Sequence, residues 1–178
     1  MKKIDFLPTF LKANGKKYQI KTSFKDWIEF EEIITREDLI LEEKQVFSLR
    51  KVLKDPVPKN PIEFLELFIK AVEFCRCGLP SVASDDNKKV LDFKKDFWAI
   101  WADFKTYNGI DLKKEELHWW EFMSLFYSLP QSSQIKKRIE IRDLSLGEIS
   151  KIKDNKTRRE IRRMKELFSL EPLEDDEL

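Results

Sequence analysis

The sequence predicts a mainly α protein, a compact helical domain with a small β-hairpin at its N-terminus. Three observations carry that reading. Among 178 residues Gly is only 4 and Pro 7, too few turn formers for a many-stranded sandwich or barrel. Hydrophobic residues reach 42% and aromatics 12%, and they recur at three- and four-residue spacing along most of the chain. The exception is the first 22 residues, where two short runs flank Asn14-Gly15. Both residues of that pair tolerate positive φ, so it is a strong hairpin signal.

The elements follow in order. Thr9–Ala13 and Lys17–Thr22 are the hairpin strands, too short to be stable alone, so they must lie on helices or pair with another copy. Ser23-Phe24-Lys25-Asp26 reads as a capping box, with the Ser23 hydroxyl taking an orphan N–H at the start of the first helix. A second helix is expected from about Arg36 to Leu53, stopped by Asp55-Pro56-Val57-Pro58. Asn60-Pro61 opens a third, with Asn60 as N-cap and Pro61 where its missing N–H costs nothing. Apolar residues from Phe64 to Phe74 cover most of that helix's circumference, and it ends at Gly78-Leu79-Pro80. A central helix is expected from Leu91 to Asn108, with Phe93, Phe97, Ile100, Trp101 and Phe104 in one stripe facing a core. The next, roughly Lys113 to Leu129, is the most apolar in the chain, with only Glu121, Ser124 and Ser128 as a polar stripe. A helix from Ser132 to Arg142, a short piece begun by Ser145-Leu146-Gly147-Glu148, and a last basic helix ending near Phe168 complete the chain.

This pattern divides the chain into a hairpin, 1–22, packed on a helical domain, 23–170, and an acidic tail, 171–178, expected to be disordered. The polar stretch at 80–89 is the candidate hinge.

Charge and cysteine content narrow the function. Lys+Arg 34 against Asp+Glu 33 leaves a net charge of +1, which removes bulk attraction to nucleic acid or membrane. No uncharged apolar stretch approaches the ~20 residues of a membrane span, and Met1–Asp5 leads into no signal-peptide run. Cys75 and Cys77, one residue apart, make no disulfide framework and read as small buried hydrophobes in a reducing compartment. His118 is the only histidine, too few ligands for a zinc site, and reads as a core or rim residue with one hydrogen bond. A pairing of His118 with either cysteine has no local signature, and the four scattered glycines make no phosphate loop. The expectation is a non-enzyme with no catalytic, metal or cofactor residues.

Two features stand out as candidate partner surfaces. Trp98 projects from the flank of its helix, and Trp119, Trp120 and Phe126 crowd the most apolar one. The second is the basic arm of Arg158, Arg159, Arg162 and Arg163, followed by the acidic tail. The plainer reading makes the same aromatics an ordinary core and the arm a solvated helix partly neutralised by its own tail.

Several of these stretches resemble a known family. Tyr107-Asn108-Gly109-Ile110-Asp111-Leu112, Leu117-His118-Trp119-Trp120-Glu121-Phe122 and Leu129-Pro130 are the most specific. Leu7-Pro8, Asn14–Tyr18, Thr22-Ser23-Phe24, Phe30-Glu31 and Lys151–Asp154 fit as well. Together they resemble the "gp-fifteen" family of long-tailed phages and prophages of Gram-positive bacteria. Asn108 and Glu121 depart from the family pattern, as does the Cys75–Cys77 segment. The resemblance implies a tail assembly chaperone, encoded between the tail tube and tape measure genes. Such a protein coats the hydrophobic tape measure protein, helps bring tail tube protein to it, and is absent from the finished virion. The setting implied is the host cytoplasm, with self-association along the client. A structural tail component and a nucleic-acid-binding regulator using the basic helix are the alternatives.

Overall fold

The computed structural model describes residues 7–79 and 89–170. The expected hinge falls mostly, and the acidic tail wholly, outside the described residues. Among them the chain forms eight α-helices, one π-helical turn and one two-stranded antiparallel hairpin, a mainly α fold. These make two compact units, one of residues 7–79 and 114–127, the other of 89–113 and 128–170.

The first unit begins with β1 (Phe10–Ala13) and β2 (Lys16–Gln19), joined by Asn14 and Gly15 at φ 48° and 72°. Those left-handed values suit the Asn-Gly pair and set the register Phe10↔Gln19 to Ala13↔Lys16. α1 (Phe24–Thr35), α2 (Leu41–Val52) and α3 (Pro61–Cys75) follow. Asn60 caps α3 as predicted, its side chain accepting from the Ile62 and Glu63 N–H groups at 3.0 and 3.1 Å. The hairpin is fastened to α3 by one buried carboxylate: Glu63 accepts from the Tyr18 hydroxyl and lies 2.9 Å from the Lys16 ammonium. Glu66 adds a bond from the Asn14 N–H at 2.8 Å.

Three predicted starts in this unit differ from the structure. Ser23 is not a side-chain cap, because its hydroxyl donates instead to Glu116 at 2.9 Å. α2 begins at Leu41 rather than Arg36, with Glu43 reaching back to the Ile40 N–H at 3.3 Å. α5 (Trp119–Ser128) begins six residues after Lys113, because the chain before it is extended. Leu117 accepts from the Phe24 N–H at 3.0 Å and Trp119 donates to Thr22 at 2.7 Å, a short antiparallel bridge.

The core of this unit is aromatic. Trp27, Phe24, Phe30, Trp119 and Phe122 are each at most 1% exposed. Phe24 stacks on Phe122 at 4.9 Å between centroids, and Trp27 meets Phe74 at 4.3 Å. The indole N–H groups are satisfied by main-chain carbonyls: Trp27 on Lys21 at 2.8 Å and Trp119 on Cys75 at 2.7 Å.

The second unit contains α4 (Phe97–Asp103), the π-helical turn Phe104–Asn108, α6 (Gln134–Asp143), α7 (Leu146–Ser150) and α8 (Asn155–Leu167). α4 starts later than Leu91, because the Asp92 carboxylate accepts from the Lys94 and Lys95 N–H groups at 3.0 and 2.9 Å and holds a separate turn. Of the expected stripe, Phe93, Ile100 and Phe104 are buried, whereas Phe97 and Trp101 are half-buried. Gly109, at φ 70°, closes the π turn with its N–H on Phe104. Asp103 accepts from the Gln134 and Ile135 N–H groups at 3.0 and 2.7 Å, so a carboxylate from α4 caps α6. At the other end of α6, the Lys165 ammonium of α8 meets the Arg142 and Leu144 carbonyls at 2.8 and 2.6 Å. Opposite charges thus sit at the two ends of the α6 dipole.

Candidate functional site

His118 lies where the extended strand becomes α5. Its Nδ1 accepts from the Trp120 N–H at 3.1 Å, which leaves the hydrogen on Nε2 to meet the Pro8 carbonyl at 3.0 Å. Glu121 turns back to accept from the His118 N–H at 3.1 Å. The run His118-Trp119-Trp120-Glu121 is therefore a helix-capping device, with histidine in the place of Ser or Asp. It makes two ring hydrogen bonds where one was expected, and both ring nitrogens are spent on main-chain partners.

The cysteines flank the end of α3. Burial pushes the Cys75 thiol up to about 12 and the Cys77 thiol up to about 11. Both therefore stay protonated near neutrality, the state least able to attack or to ligate a metal.

The predicted partner residues separate by burial. Trp119 and Phe126 are 1% and 2% exposed and belong to the core, so they have no surface to offer a partner in this fold. Trp120 is half-buried, its Nε1 donating to the Phe74 carbonyl at 2.9 Å. Trp98 is 62% exposed, beside the half-buried Trp101 at 5.9 Å. Lys113 stands 4.9 Å from the Trp98 ring and 5.2 Å from the Trp101 ring, and Trp101 donates to Asp111 at 2.7 Å. Arg159, Arg162 and Arg163 are exposed on α8, whereas Arg158 is turned onto Ile152 and Asn155.

A further apolar surface was missed from the sequence. On the outer side of α3, Ile62, Leu65 and Ile69 are exposed by 77%, 50% and 48%. Their spacing of three and then four residues continues to the half-buried Val72. Beyond them Phe68, Val72 and Leu79 line a groove of about 510 Å³, with Glu73 and Arg76 at its border. The sign of it was the apolar circumference of this helix: Leu67, Ala71 and Phe74 are enough to bury one face, so the remaining apolar residues lie outside it. A helix with two apolar faces and one covered is suited to receive another apolar element.

The fold and its surfaces define a helical protein whose open features are apolar and aromatic faces. The model of the family described as bacteriophage Gp15 protein matches residues 4–170. The chain belongs to that family and is a phage protein. No curated protein and no solved structure matches it. Among the described residues no helix is long and apolar enough to cross a membrane.

Proposed function

We propose that this phage protein is a non-enzymatic tail assembly chaperone that binds the tape measure protein, brings tail tube protein to it, and self-associates along the client. It would act in the host cytoplasm and leave before the virion is complete. The observation that carries this reading is the open seam Ile62-Leu65-Ile69-Val72 on α3, continued by the groove at Phe68 and Leu79. An apolar stripe at 3–4 spacing is the shape that accepts an amphipathic or hydrophobic helix. Exposed Trp98 and the arginines of α8 supply second and third contact surfaces, one aromatic and one charged.

Membership of a phage family is consistent with this reading, and the resemblance carried by Tyr107–Leu112 and Leu117–Phe122 implies it. The test separates it from a structural tail role. Purified tails and the assembly lysate are probed for the chain side by side. A chaperone is abundant in the lysate, travels with the tape measure protein, and is missing from finished tails. A chain recovered stoichiometrically from purified tails would be a structural subunit, and the proposal would be wrong.

A further inference from the structure

α6 and α8 enclose a second groove, of about 460 Å³, in the second unit. Its floor is apolar, made by Ile141 and Leu144 from α6 and by Ile161, Met164 and Phe168 from α8. Its border carries Lys137 and Arg138, and one acid, Glu140. Over residues 134–168 there are twelve Lys and Arg against six Asp and Glu, so this stretch is strongly positive.

The chain leaves the described residues at this groove. Phe168 lines it, its carbonyl accepting from Arg142 and its ring lying 5.0 Å from the Arg138 guanidinium. Two residues later the Leu170 carbonyl is held by the Lys95 ammonium. The remaining sequence, Glu171-Pro172-Leu173-Glu174-Asp175-Asp176-Glu177-Leu178, has five acids and no base. Eight residues reach about 26 Å when extended, ample to span the groove from its edge.

We propose that the groove between α6 and α8 is a docking site for the chain's own segment 171–178. The segment's sequence offers an apolar residue, Leu173, to match the floor and five carboxylates to match Lys137 at the border. A tether this short gives a high effective concentration, so a weak contact suffices to keep the site filled. The inference does not rest on the α3 seam that carries the client reading above, nor on Trp98.

The methionine methyl groups of the full-length chain report on the groove. Met164 lines it, and Met123, buried in α5, serves as the internal control. The native chain is compared by NMR with a variant carrying Glu174→Gln, Asp175→Asn, Asp176→Asn and Glu177→Gln. The Met164 resonance should move in the variant while Met123 stays. In 1 M salt, where the Debye length falls to about 3 Å, the native Met164 resonance should move toward the variant's position. Lys137→Glu should move it the same way. A Met164 resonance that is identical in both chains at low salt overturns the proposal. So does one that changes with protein concentration, because a second copy would then occupy the groove.

Discussion

Asp96 and Arg142 meet as a bidentate ion pair inside the second unit, with Nη1 2.6 Å from Oδ2 and Nη2 2.8 Å from Oδ1. Asp96 is fully buried and Arg142 is 6% exposed. The same guanidinium reaches the Val90 carbonyl at 3.0 Å and the Phe168 carbonyl, so one side chain ties together the start of the unit, α6 and the end of α8. Removing one partner leaves a buried charge without its counterion. Asp96→Ala should cost about 3–5 kcal/mol in chemical denaturation. The double variant Asp96→Ala with Arg142→Leu should lose less than the sum of the two single changes, because it strands no buried charge and leaves only the part-exposed Arg138 without its carboxylate. An Asp96→Ala chain that unfolds at the native denaturant concentration would contradict this account of the unit.

The Glu63 clasp makes hairpin attachment depend on pH at both extremes. The Tyr18 phenol is pushed up to about 12, first by its hydrogen bond to Glu63 and then by burial. The folded value lies above the ordinary one near 10, so this contribution is complete below pH 10 and is lost as pH rises toward 12. Glu63 is held below the usual carboxylate range by the Tyr18 hydroxyl and then by Lys16. Its contribution is complete above that range and is lost as pH falls through the depressed value. Tyr18→Phe should lower the melting temperature at pH 7 and flatten the decline between pH 10 and 12. An unchanged alkaline limb would sink the assignment.

The cap at His118 predicts a graded series. His118→Ala removes the acceptor for the Trp120 N–H and the bond to Pro8, and should cost about 1–2 kcal/mol. His118→Asn restores a capping acceptor and should recover part of that loss. If the two variants are equally destabilised, the ring is acting through packing on Phe74, whose centroid is 5.7 Å away, and not through the cap.

Cysteine chemistry offers a direct check. With their values raised to about 12 and 11, Cys75 and Cys77 should react slowly with an aromatic disulfide reagent at pH 8 while the chain is folded. Both should react at the rate of a free thiol in denaturant. Fast labelling of the folded chain would mean that the end of α3 is open.

These outcomes also mark what the sequence made legible. Asn14-Gly15, Asn60-Pro61 and Asn108-Gly109 could be read because each does its work within five residues of itself. Ser23 misled for the opposite reason, since its hydroxyl is taken by Glu116, which lies 93 residues away. The late start of α5 has the same origin in the pairing of residues 117–119 with 22–24. Asp103 at the start of α6 and Lys165 at its end are long-range caps that no local pattern announces. Partner surfaces were the least legible. Trp98 and Trp119 look alike as letters, yet one is 62% exposed and the other 1%. Trp98→Ala should accordingly leave stability within about 0.5 kcal/mol of native, whereas Trp119→Ala should cost about 3–5 kcal/mol.

The central claim is that the outer face of α3 receives a hydrophobic helical client. Co-expression with the tape measure protein tests it most directly, with the native chain set against the double variant Leu65→Lys and Ile69→Lys. Both positions are exposed, so the variant should fold with the native circular dichroism and melting temperature. The account predicts that the native chain keeps the tape measure protein soluble and co-purifies with it, and that the variant does neither. A tape measure protein equally soluble and equally retained with both chains would contradict the α3 seam as the client site. One unaffected by either chain would contradict the chaperone function itself.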